Sequence, residues 1–156
     1  MVQQDTQEGN TIMETINFAI TLSASTTNNL YPTVEILLND KTQVKSTEIV
    51  TSKTVSFNLD LEEKQNYKLI IIRGNHSNRG QQILSIEKLE ADGINLNKFL
   101  DCVYFYPEYP KQWHEQQIKA GKSWPDKQKG WRDLGFNGKW ILEFDTPFYT
   151  WLLKNT

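Results

Sequence analysis

The feature that most constrains this chain is a two-residue rhythm of apolar and polar side chains. Between Thr15 and Leu22, the residues Ile16, Phe18, Ile20 and Leu22 alternate with Thr15, Asn17, Ala19 and Thr21. A helix would turn Ile16 and Phe18 to opposite sides, whereas a strand puts all four apolar residues on one face. The rhythm returns at Val34, Ile36 and Leu38, at Val55, Phe57, Leu59 and Leu61, and at Tyr67, Leu69 and Ile71. In that last run Ile70 and Ile72 load the second face too, the pattern of a central strand covered on both sides. Turn residues separate the runs. Asn39-Asp40-Lys41 favours a tight hairpin with Gln43 to Val50 as partner, and Ala91-Asp92-Gly93 closes a strand from Ile83 to Leu89. Short strands spaced in this way predict an all-β chain folded as a β-sandwich or jelly roll.

At 156 residues the chain suits one domain with an elaboration. Residues 1–11 read as a flexible N-terminal arm and 12–96 as the sandwich core. Residues 97–156 read as an aromatic-rich C-terminal extension that packs on the core or on a partner subunit. All five tryptophans fall in that extension. Within it, Phe99 to Tyr106 predicts a strand stopped by Pro107 and Pro110. Residues 107–135 predict a long loop with a helical turn near Gln112 to Ala120. A final strand is expected at Trp140 to Phe144, and a short terminal helix at Phe148 to Leu153, after Pro147.

Several function classes are disfavoured. The net charge is -2 with the signs interspersed, so no basic stripe offers to neutralise phosphates and no nucleic-acid partner is expected. No run approaches the ~20 apolar residues of a membrane span. Cys102 is the one cysteine, which excludes an internal disulfide and a CxxC metal clamp; a small buried hydrophobe within its strand is the expected role. Met1 to Thr6 has neither the positive start nor the apolar run of a secretory signal. From this a chain kept in a cytoplasm, or released with a larger particle, is expected. His76 and His114 lie in no nucleophile or zinc motif, and Gly74, Gly80 and Gly93 fit no phosphate cradle, so no catalytic or metal residue is assigned. Carboxylates among aromatics leave one enzymatic reading, glycan cleavage through Glu108 or Asp133, since glycoside hydrolysis needs two carboxyls about the scissile bond. Alternation puts Glu143 and Asp145 together on a solvent face.

Two features carry binding chemistry. The stretch Arg73-Gly74-Asn75-His76-Ser77-Asn78-Arg79-Gly80-Gln81-Gln82 joins two strands and is rich in amides. Asn75, Asn78, Arg79, Gln81 and Gln82 present donors and acceptors suited to sugar hydroxyls, against the plainer reading of a polar β-loop. Trp113, Trp124 and Trp131 have charged neighbours, and with Arg132 they form a candidate interface; core or lid packing is the alternative for each. Trp140, Phe144 and Phe148 are assigned to packing.

Residues 33–96 resemble the small jelly-roll carbohydrate-binding modules of the calcium-dependent, xylan-binding type. The resemblance runs through Thr33-Val34-Glu35-Ile36-Leu37-Leu38-Asn39-Asp40-Lys41, Thr54-Val55-Ser56-Phe57, Tyr67-Lys68-Leu69-Ile70-Ile71 and Ala91-Asp92-Gly93. It implies a sandwich that binds polysaccharide. The family takes calcium on acidic residues in the loop before its last strand. Here that loop offers amides and no carboxylate, so no cofactor is expected, because calcium prefers several carboxylate oxygens. The ending Gly135 to Phe144, then Thr146 to Leu153, resembles small structural proteins of marine tailed bacteriophages. That likeness implies a virion protein in an oligomeric assembly: a surface fibre, a baseplate-associated part or a capsid decoration. Its partners would be other virion proteins and host surface polysaccharide. A free, non-catalytic carbohydrate-binding module is the alternative.

Overall fold

The computed structural model describes residues 12–27, 29–77 and 81–155. The arm expected at 1–11 lies outside them. The chain forms β1 (Met13–Thr26), β2 (Thr33–Leu38), β3 (Lys41–Glu48), β4 (Ser52–Glu62), β5 (Asn66–Gly74), β6 (Gln82–Ala91) and β7 (Ile94–Asn95). A 3-10 helix (Asn97–Cys102) leads to β8 (Tyr104–Glu108) and helix α1 (Lys111–Lys119). Then come β9 (Gln128–Lys129), β10 (Asp133–Leu134), β11 (Asn137–Asp145) and helix α2 (Phe148–Lys154).

The strands make two antiparallel sheets packed as a sandwich. One runs β10-β6-β1-β4, with β7 paired to β6; the other runs β3-β2-β5-β11-β8-β9. Alternation sets the inner faces. Ile16, Phe18, Ile20 and Leu22 of β1 and Val55, Phe57, Leu59 and Leu61 of β4 face Val34, Ile36, Leu69, Ile71, Trp140, Leu142 and Phe144 in one buried core. Phe18 spans the layers: its ring lies 6.4 Å from Phe144 of the opposite sheet and 5.4 Å, edge-on, from Phe148 of α2. Such offset and edge-to-face pairs add to the gain from area burial alone.

Polar groups fix the turns. Asn39 adopts φ 55 in the β2–β3 hairpin, and its Oδ1 accepts the Lys68 N–H at 2.9 Å, tying the hairpin to β5. Asp92 and Gly93 take φ 51 and 81 between β6 and β7, the paired positive values that a two-residue hairpin with matching twist requires. Asp92 also accepts the Asn17 N–H (2.8 Å) and the Tyr149 hydroxyl (2.6 Å), binding β1 and α2 to the same turn. Burial, then these Asp92 contacts, push the Tyr149 phenol well above its usual range.

Residues 97–156, expected as an extension from a body ending at 96, supply β11, which is hydrogen-bonded between β5 and β8. The strand expected from Phe99 to Tyr106 is corrected to a 3-10 helix followed by a later strand. Phe99 and Leu100 are adjacent and both buried, which a strand with one inner face cannot achieve. Asn97 fixes this geometry, accepting the Leu89 N–H at 3.0 Å and donating to the Glu87 carbonyl at 3.2 Å. Cys102 ends the 3-10 helix exposed, not buried in a strand. Pro107 does not stop β8: it stands opposite Gly138, which has no side chain to obstruct it. The long loop expected over 107–135 contains α1, β9 and β10.

A Cβ at Gly138 would come within 2.9 Å of the Phe105 ring and of Pro107 Cα, and would run into the Tyr106 carbonyl. Gly138→Ala is therefore expected to cost about 1–3 kcal/mol, as overpacking does. Urea denaturation would show the midpoint falling; an unchanged midpoint would mean that β8 and β11 are not this close.

Candidate functional site

The polar stretch after β5 and the aromatic stretch after β8 meet at one end of the second sheet. The side chains of Asn137 and Arg73 explain how. Strand alternation turns Leu69, Ile71 and Arg73 inward, so Arg73 is only 1% exposed although it stands near the end of the sandwich. Its Nη1 donates to Asn137 Oδ1 at 3.1 Å and its Nη2 to the Gln82 carbonyl at 3.0 Å. The same Asn137 Oδ1 accepts the His76 N–H at 2.9 Å. One carboxamide oxygen thus pins a buried cation and the backbone of the 74–77 stretch to the head of β11. Burial lowers the Arg73 pKa to about 10, and among the described residues no carboxylate pairs with it.

Above this anchor an open cleft of about 610 Å³ lies between His76 and Ser77 on one side and the start of α1 on the other. Gln112 and Gln116, four residues apart, share one face of α1, as helical spacing dictates, and both line the cleft with Lys111 and Trp113. Phe136 also lines the cleft; the His76 ring stacks on it at 5.5 Å, with an angle of 25° between the planes. The α1 start has no side-chain cap and no acidic residue in its first turn.

An aromatic cluster backs the cleft. Tyr109 lies 5.0 Å from Phe136, 5.0 Å from His114 and 5.8 Å from Trp113, while Trp113 lies 5.2 Å from Trp124 and 5.0 Å from Phe136. The Tyr109 hydroxyl donates to the Pro125 carbonyl at 2.6 Å, holding the chain beyond Trp124 against the cluster. Burial and the nearby Asp126 charge raise the Tyr109 pKa. Trp124 keeps 37% of its surface exposed, and Trp113 and Phe136 are half-buried. These rings therefore keep part of their surface exposed, and Trp113 and Phe136 do so beside the amides of Gln112 and Gln116.

The residues expected to act fall in different places. Trp113 and Trp124 join the cluster. Trp131 makes no ring contact with it among the described residues; it is 45% exposed beside β10, and Arg132 is committed to the Asn97 carbonyl at 3.1 Å. The single interface expected of the three tryptophans and Arg132 is thus divided. Gln82, expected to meet a glycan, is buried at 3% exposure with its Nε2 donating to the Leu30 carbonyl at 2.7 Å, so it is corrected to a structural residue. Asn75 is exposed, with φ 63, and donates to the Tyr31 carbonyl at 2.8 Å. Gln81 holds Thr27 through its backbone. Asn78 and Arg79 lie outside the described residues. Glu108 and Asp133 are carried by different sheets, Asp133 accepting the Ser85 hydroxyl at 2.7 Å.

Calcium does not fit the described part of the loop. That part carries no carboxylate, and among the described residues no three His, Cys, Asp or Glu side chains gather to hold a metal ion. Sequence reasoning did not assign His76, Tyr109, Gln112, Gln116 or Phe136 to a site. The i, i+4 spacing of the two glutamines beside Trp113 was the available signal.

No protein-family model and no curated protein matches the chain. Among solved structures, "vCBM60 in complex with galactobiose" is similar at a TM-score of 0.46 and 9% identity, covering 80% of this chain and 95% of that one. The sandwich assignment rests on the strand pairing described above.

Burial, then the Arg73 charge, lower the His76 pKa from 6.5, so the folded protein keeps this imidazole neutral where the unfolded chain takes up a proton. The contribution to stability is full above 6.5 and declines as pH falls below it. His76→Asn, which does not titrate, should flatten that part of the profile. Thermal melts from about pH 8 to about pH 5 would measure it, and identical slopes for the two proteins would refute the assignment.

Proposed function

We propose that this chain is a non-catalytic carbohydrate-binding module whose ligand lies in the cleft between His76 and Trp113. The observation that carries the reading is the pair of partly exposed rings, Trp113 and Phe136, that line the cleft beside Gln112, Gln116 and His76, with Trp124 packed against Trp113. A pyranose has an apolar C–H face and a rim of hydroxyls. The first suits an aromatic ring; the second needs fixed donors and acceptors, which a carboxamide supplies on both atoms. The cleft volume falls within the usual range for small-ligand sites. Asn78 and Arg79 belong to this proposal on sequence grounds alone.

The virion role expected from the chain's ending rests on that likeness, and the cleft reading does not require it. It is tested separately, by imaging purified particles with a labelled antibody.

Titration calorimetry against xylo-, cello-, manno- and galacto-oligosaccharides tests the carbohydrate reading. At least one should bind. Trp113→Ala should weaken it by about 2 kcal/mol, roughly 30-fold, as loss of a central aromatic contact does, while Trp131→Ala leaves it unchanged. Binding that is indifferent to Trp113 would overturn the site, and no new reducing ends should form on incubation with polysaccharide.

A further inference from the structure

We propose that the cleft selects glycans bearing negative charge, on uronic-acid carboxylates or sulfate esters, over neutral sugars of the same backbone. The inference rests on the carbohydrate-binding reading and names its substrate class.

Charge around the cleft is one-sided. Lys111 is exposed on its wall, and among the described residues no carboxylate side chain lines it. Behind His76 lies the Arg73 guanidinium, buried, sharing Asn137 Oδ1 with the His76 N–H, and without a carboxylate partner among the described residues. Its Nε also lacks a hydrogen-bond partner there. A buried charge is screened less than one in water, so its field reaches the adjoining surface. The uncapped start of α1, whose first turn has no acidic residue to offset its partial positive charge, forms the opposite wall.

The surrounding sequence agrees. Between Pro107 and Arg132 stand five lysines and one arginine against three carboxylates, in a chain whose net charge is -2. Of those carboxylates, Glu108 is exposed on β8, Glu115 is exposed on α1 and lines no part of the cleft, and Asp126 lies near Tyr109. A neutral sugar gains no net charge attraction from this arrangement, whereas an anionic substituent would be drawn to Lys111 and the α1 terminus.

Matched pairs test it: oligogalacturonate against its carboxyl-reduced counterpart, and a sulfated galactan oligosaccharide against its desulfated form. Calorimetry at about 0.02 M and 0.2 M NaCl should show the charged member of at least one pair bound about tenfold more tightly at low salt, with the gap narrowing at high salt. The pair that responds distinguishes carboxylate from sulfate. Lys111→Gln should reduce the ratio of charged to neutral binding about 3-fold, the scale of an exposed charge pair, with thermal unfolding unchanged; a ratio that does not move would remove Lys111 from the selectivity. Equal or tighter binding of the neutral members would overturn the selectivity while leaving carbohydrate binding intact. Failure of every charged and neutral sugar to bind folded protein would overturn both.

Discussion

Strand β11 is the constraint on which the rest of the structure depends. It enters the second sheet after both of its neighbours have been laid down, pairing with β5 from Gly138 opposite Arg73 to Asp145 opposite Asn66, and with β8 along its other side. Its inner face delivers Trp140, Leu142 and Phe144 to the core, and its first residue, Asn137, holds Arg73 and the 74–77 stretch. Without that strand β5 and β8 would each expose an unpaired edge, and the two walls of the cleft would have no common support. Stability and site geometry therefore share one backbone register. A slip by one residue would send the apolar side chains outward and carry Asn137 away from its partners.

The core and the cleft use aromatic residues differently. Phe18, Phe144 and Phe148 interlock across the layers and are almost wholly buried. Tyr109, Trp113, Trp124 and Phe136 pack on one another outside the sandwich and stay partly wet. In such a satellite cluster neighbouring rings already restrict each side chain, so little further ordering would be lost on contact with a partner.

The local patterns were legible in the sequence and the meeting of distant segments was not. The alternation at Ile16 to Leu22 and Val55 to Leu61, the Asn39 and Asp92-Gly93 turns, and the terminal helix all follow from rules that act over a few residues. The 3-10 helix at Asn97–Cys102 escaped because its cause, the Asn97 side chain reaching β6, lies outside its own alternation. Arg73 was grouped with a loop although it continues the inward series of Leu69 and Ile71; a charged residue at an inner position is rare enough that composition outweighed period. His76 and Trp113 lie on either side of one cleft through the pairing of β5, β11 and β8, and no pattern within either stretch reveals that register. Trp131, alike in its surroundings to Trp113, left the group because β10 crosses to the other sheet.

The chain leaves β8 at Glu108 and comes back beside it as β9, where Lys129 pairs with Tyr104. Everything between, α1 included, departs from and rejoins the sandwich along a single strand at its rim. Such an excursion can be lengthened, shortened or exchanged while the layers beneath keep their pairing. A change of length or sequence there leaves the pairing of the body untouched, and the same rim is a natural place to graft foreign loops.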